Sequence, residues 1–152
     1  MVEPISKSAK RETIQGIVRG IRQDIDGYKQ LKSLLKRQRE LMQRRDNQGL
    51  HHHNEHQSNL CNSLMIKAAE RKKMLELLGF QGSASGMRSL IERLPESSSE
   101  QVAMLWNNLV SLVKESKQVN EANGKLLVGQ QEVINQLLQR DQQPSVDYGE
   151  KR

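Results

Sequence analysis

The sequence predicts an all-α fold: an elongated antiparallel helical bundle or coiled coil of three long helices plus a short helix, in a single domain over residues 1–152. Three observations carry this expectation. The chain has only three prolines (Pro4, Pro95, Pro144) among many Leu, Lys, Arg, Glu and Gln residues, the composition of long helices. No segment alternates apolar and polar residues with the period of two that a half-buried strand shows. Apolar residues instead recur every seven positions over two long stretches, the repeat that keeps one stripe of a helix against a neighbour.

The first helix is expected over about residues 12–45. Ile14, Ile21, Tyr28, Leu35 and Met42 lie seven apart, with Ile17 and Leu31 offset by three. Val18, Ile25, Leu34 and Leu41 widen the stripe, so it reads as a bundle face rather than half of a simple zipper. Asp24 and Gln38 fall at seam positions and should weaken it locally. From Arg45 to Asn59 the rhythm stops. Asp46-Asn47-Gln48-Gly49 and the run His51 to Gln57 read as a polar turn, and a second helix follows over about residues 57–78, with Leu60, Leu64, Ala68, Leu75 and Leu78 on one face. Gly79 is placed to stop that helix in the left-handed region, and Gly82 to Gly86 reads as a flexible loop. A short helix at about 87–94 ends before Pro95, whose ring disfavours helical geometry in the preceding residue.

Ser97 with Glu100, and Ser98 with Gln101, fit capping boxes that start a last helix over about residues 98–142. Its seam repeats at Val102, Leu109, Ser116, Asn123, Gln130 and Leu137, with partners at Leu105, Leu112, Val119, Leu126 and Val133. Asn123-Gly124 is a turn dipeptide, yet the phase of Val119 continues into Leu126 and Val133 without a slip, which favours an unbroken helix. Residues 143–152 have no periodicity and read as a mobile tail.

Composition and charge narrow the function. With 35% apolar and only 3% aromatic residues the chain has little to fill a large enzyme core. No apolar run approaches the ~20 residues of a membrane span or the ~7–15 of a signal peptide core, so a soluble cytoplasmic protein without membrane insertion is expected. The single Cys61 excludes an internal disulfide. The net charge of +6 lies entirely in the first third, where residues 1–50 hold 12 basic and 6 acidic side chains. Lys29, Lys32, Lys36, Arg37, Arg39, Arg44 and Arg45 could neutralise phosphates, which keeps a second reading in view: a basic coiled-coil protein that binds nucleic acid or regulates a nucleic-acid machine. The scarcity of stacking aromatics disfavours it. His51, His52, His53 and His56 have helical metal-ligand spacings, but only Cys61 is near enough to complete a site, so a solvated turn is expected and no metal or other cofactor. No nucleophile elbow, phosphate-cradling loop or dinucleotide fingerprint occurs, and the chain reads as a non-enzyme.

The last helix departs from a maximally stable bundle. Ser116, Asn120, Asn123 and Gln130 occupy or border the face that should be apolar, and Gly124 and Gly129 each cost about 1 kcal/mol relative to alanine. Two explanations stay open: a buried amide that specifies register at the expense of stability, or a groove that receives another helix.

Val119-Asn120-Glu121-Ala122-Asn123-Gly124-Lys125-Leu126-Leu127, continued by Gly129-Gln130-Gln131 and Leu137-Leu138, resembles the Asn-x-x-Asn-Gly-x-Leu-[Leu/Ile] signature of the FlgN family of flagellar export chaperones. Trp106, within Leu105-Trp106-x-x-Leu109, also suits that family. The close match covers roughly residues 102–140, while the basic first helix and the histidine run lie outside its pattern. The resemblance implies a cytoplasmic chaperone of the flagellar type III secretion system that holds hook-associated (hook-filament junction) proteins by their amphipathic terminal helices before export. It also implies that the C-terminal helix binds them, through Asn120, Asn123, Gly124, Leu126, Leu127, Gln130, Val133 and Leu137. The tail around Tyr148 resembles the tyrosine-bearing segment by which such chaperones dock on the export gate. A seam wider than its own chain can cover would leave room for a homo-oligomer.

Overall fold

The computed structural model describes residues 5–142, and they form four helices: α1 (Lys7–Arg44), α2 (Asn47–Leu77), α3 (Ala84–Glu92) and α4 (Glu96–Gln142). The helices start earlier than the apolar rhythm alone indicates, because polar caps set the ends. Ser6 Oγ accepts the Ala9 N–H at 3.1 Å and starts α1 ahead of its first seam residue. Asp46 Oδ1 accepts the Gly49 N–H at 2.9 Å, so the segment read as a polar turn is the N-terminus of α2, and the histidine run is helical. Only Arg45, in the left-handed region at φ 57°, and Asp46 separate α1 from α2.

The other end of the bundle holds a second correction. Gly79 stops α2 at φ +91°, as expected. Ser83, read as part of a loop, caps α3 by accepting the Gly86 N–H at 3.3 Å, which places Gly86 inside a helix. Neither Ser97 nor Ser98 caps α4. Its first turn follows Pro95, whose carbonyl accepts the Ser99 N–H at 2.8 Å, while Ser99 Oγ donates to Ile91 O at 2.8 Å and ties α3 to α4. α4 is continuous through Asn123-Gly124.

α1 is the central element. It packs along both α2 and α4, whose backbones stay apart. Cross-links Gln23–Lys67, Asp24–Arg71 and Gln38–Asn54 run antiparallel between α1 and α2. Asn123–Leu35 and Gln130–Met42 hold α4 parallel to α1 with a constant offset of 88 residues. The main core sits where all four helices meet and is built on Ile17, Ile21, Ile25, Leu75, Met87, Leu90, Val102 and Leu109. A smaller cluster of Leu31, Leu35 and Leu64 continues it along the rod, with Cys61 and Val119 packed against it. Burial pushes the Cys61 thiol pKa up. It also raises that of the Tyr28 hydroxyl, helped by the nearby Asp24 carboxylate.

The two polar seam residues of α1 are matched rather than merely tolerated. Asp24, 2% exposed, receives Arg71 Nη1 at 2.6 Å, and the same guanidinium lies over the Trp106 ring at 5.4 Å from its centroid. Gln38 accepts from Asn123 Nδ2 at 3.0 Å and donates to Asn54 at 2.9 Å, so one polar layer joins α2, α1 and α4. Asp24 Oδ1 is left without a hydrogen-bond partner among the described residues, and so is the buried hydroxyl of Ser116. Ser116→Ala is therefore expected to raise stability by about 1 kcal/mol, because an unsatisfied buried hydroxyl opposes folding. A urea midpoint that fails to rise would contradict this.

Candidate partner-binding site

α4 is built from the inside outward on one seam. Val102, Leu109 and Leu112 belong to the main core, Ser116 is buried further along the same seam, and that face continues through Val119, Asn123, Leu126, Gln130, Val133 and Leu137. What covers this face changes along the helix. Met42 O, near the last turn of α1, accepts from Gln130 Nε2 at 2.9 Å. With the constant offset, the end of α1 at Arg44 is level with about residue 132, whereas α4 continues to Gln142. The overhang is about ten residues, or roughly 15 Å at about 1.5 Å per residue. Its seam residues keep their apolar identity with no helix over them. Val133 is 46% exposed and Leu137 50%.

The eight residues predicted to bind a partner fall into three groups. Asn123 is 2% exposed and enclosed by its own chain: Nδ2 donates to Leu35 O at 2.9 Å as well as to Gln38, and Arg39 Nη1 donates to Asn123 Oδ1 at 3.4 Å. At this position the side-chain amide is taken up by contacts within its own chain. Leu126 and Gln130 are half-buried at the margin of α1. Asn120, Gly124, Leu127, Val133 and Leu137 are exposed, and nothing lies within 4 Å of where a Gly124 Cβ would stand. Sequence reasoning missed Val128, which lies off the seam and is 59% exposed beside Leu127. Tyr148 lies outside the described residues.

The distal part of α4 thus presents uncharged aliphatic side chains on a helix anchored by amides along its inner margin. Such a surface can cover an apolar stripe on another helix. Among the described residues no three His, Cys, Asp or Glu side chains come together to hold a metal ion, and His53 Nε2 instead lies 2.8 Å from Leu34 O. No helix among the described residues is long and apolar enough to cross a membrane. Part of the basic surface of α1 is engaged within the fold, where Lys32 pairs with Glu115 at 2.9 Å and Arg37 with Glu40 at 3.1 Å.

No curated protein and no solved structure gives a significant match to the chain. The family model described as FlgN protein matches residues 13–151, which takes in all of α2, α3 and α4 and nearly all of α1. The match therefore extends far beyond the Asn-Gly stretch of α4, and the chain belongs to the FlgN family, the flagellar export chaperones.

Proposed function

We propose that this protein binds hook-associated (hook-filament junction) proteins along the distal half of α4 and delivers them to the flagellar type III export apparatus from the cytoplasm. One observation carries the reading: the apolar seam of α4 runs past the end of α1 and leaves Val133 and Leu137 half-exposed, flanked by Leu127 at 51%. Val133 and Leu137 share one face of the helix with Leu127 on its flank, and water-exposed aliphatic side chains spread over three turns suit a contact with an amphipathic segment. Asn120, Gly124, Leu127, Val133 and Leu137 make the contact, Leu126 and Gln130 border it, and Asn123 acts from beneath by holding α4 to α1. Gly124 lets the partner backbone come close. The action is stoichiometric shielding and release rather than turnover, and Tyr148 docks the loaded chaperone on the export gate.

Leu127→Asp combined with Leu137→Asp tests this in the full chain. Both side chains are at the surface, so helical content and thermal midpoint should be nearly unchanged. Capture of a purified hook-associated protein should weaken by about two orders of magnitude, the effect of two charges placed in an apolar contact. Undiminished capture would remove α4 as the binding surface. In the same cells, Tyr148→Ala should retain capture and lower export of the junction protein; loss of capture would contradict the docking role.

A further inference from the structure

A second groove lies at the opposite end of the rod, between the N-terminal half of α1 and the first turns of α4. Its larger part has a volume of about 440 Å³, with Val18, Leu94 and Leu105 in its apolar walls. A second part of about 420 Å³ shares Arg22, Gln101 and Leu105 with the first and extends it to Met104 and Asn108. About half of the lining is aliphatic and only partly covered by the described residues: Val18, Leu94 and Leu105 are half-buried, and Met104 is 73% exposed. This is the consequence of the stripe on α1 being wider than one seam. Ile17 and Ile21 face the core, whereas Val18 is left at its edge.

The charge of the groove is one-sided. Arg19 and Arg22 line it at i, i+3 spacing on one ridge of α1, both are exposed, and neither forms an ion pair among the described residues. Among the described residues no carboxylate lines either part. α1 as a whole carries eleven basic and four acidic side chains, whereas Glu92, Glu96 and Glu100 beside the other wall are exposed and do not line the groove. Two neighbouring helices that leave an apolar trough between them form the slot in which a further helix packs by ridges into grooves. From Ser98 to Asn108 the trough is about 15 Å long at about 1.5 Å per residue, which accommodates roughly three turns.

We propose that this groove is a docking site for an acidic amphipathic helix of a partner protein, distinct from the surface on distal α4. The apolar face of the incoming helix covers Val18, Leu94, Leu105 and Met104, and carboxylates three or four residues apart on its flank meet Arg19 and Arg22. Nucleic acid fits the same observations less well, since phosphates gain nothing from an aliphatic floor and two arginines provide few contacts. From Leu105 to Val133 is 28 residues of α4, or about 42 Å. The two sites can therefore be occupied together.

The probe is a synthetic, fluorescein-labelled helical peptide of about 14 residues with Leu on one face and Glu along its flank, and a twin with each Glu replaced by Lys, titrated against the full chain by anisotropy. The acidic peptide should bind saturably and more tightly than its twin. Arg19→Glu with Arg22→Glu should weaken the acidic peptide about tenfold and reverse the preference toward the lysine twin. Met104→Glu should weaken the acidic peptide as well, and Leu127→Asp with Leu137→Asp should leave its binding intact. The proposal is overturned if the acidic peptide does not saturate, if either groove substitution leaves its affinity unchanged, or if a duplex of about 20 base pairs binds the wild-type chain more tightly than the peptide and loses affinity with the two arginines.

Discussion

Arg71→Met is expected to destabilise the protein by about 3–5 kcal/mol, the cost of leaving a buried carboxylate without its partner. Asp24 has a side chain 3% exposed and sits in the middle of the α1 seam, where Arg71 of α2 meets it at 2.6 Å with 18% of its own side chain exposed. Asp24 Oδ1 has no hydrogen-bond partner among the described residues, so the guanidinium carries the whole compensation for burying this charge. Removing Arg71 also deletes its contact with the Trp106 ring, worth about 0.5–2 kcal/mol. For a chain of this size the loss corresponds to a fall of roughly 10 °C or more in thermal midpoint.

The double replacement Asp24→Leu with Arg71→Met should recover most of that loss, because an apolar pair of similar volume requires no desolvation of charge. Urea unfolding followed by the fluorescence of Trp106, the single tryptophan, measures both variants. A single variant within 1 kcal/mol of wild type would mean that water reaches Asp24. A double variant as weak as the single would assign the node's contribution to the packing of Arg71 and not to its charge.

Gly86→Ala should be the second large effect, and with the opposite sign from the usual one. Inside a helix, alanine normally gains about 1 kcal/mol over glycine. Here Gly86 is buried in the first turn of α3, and a Cβ would overlap the backbone carbonyl of Gln81, where the chain bends to enter the Ser83 cap. Backbone cannot yield as the tip of a long side chain can, so α3 has to move and pull its own Met87, Leu90 and Ile91 away from the core. Overpacking costs about 1–3 kcal/mol, and release of α3 from the core adds to it. Gly124→Ala and Gly129→Ala are the matched controls. Nothing lies within 4 Å of either added Cβ, and each should stabilise α4 by about 1 kcal/mol. Denaturation midpoints of the three variants, with limited proteolysis at Gly79 to Gly82, decide the matter. A Gly86→Ala protein as stable as wild type would show that the loop adapts freely.

These glycines show where reading along the chain succeeds and where it stops. Gly82, Gly86, Gly124 and Gly129 are alike as letters. In the sequence, Gly86 closes a small-residue run and reads as loop, whereas among the described helical glycines it is the one whose added methyl group would meet backbone. The histidine run is similar. A lack of apolar rhythm from Arg45 to Asn59 reads as a turn, yet Asp46 caps α2 there, and His53 and Asn54 bond across to α1. Neither signal is periodic, and periodicity is what carries local sequence information.

The candidate site divides along the same line. Its aliphatic members were legible because Leu126, Val133 and Leu137 continue a seven-residue phase, and Asn120 to Leu127 carry the family resemblance. Asn123 faces inward because it lies on the same seven-residue seam, while the backbone of α1 that it meets there, Leu35, follows from the offset between α4 and α1. Val128 carries no periodic signal at all.

Helical character, the apolar faces of the helices and the family resemblance are all readable along the chain, because the repeat of a helix is a local property written in every heptad. Which part of α4 is left uncovered, which partners Asp24 and Gln38 find, and that Val18 and Met104 border an open groove emerge from the packed helices. Each of those depends on how far one helix extends beside another, and that length is set by caps and contacts between residues more than 40 apart in the chain.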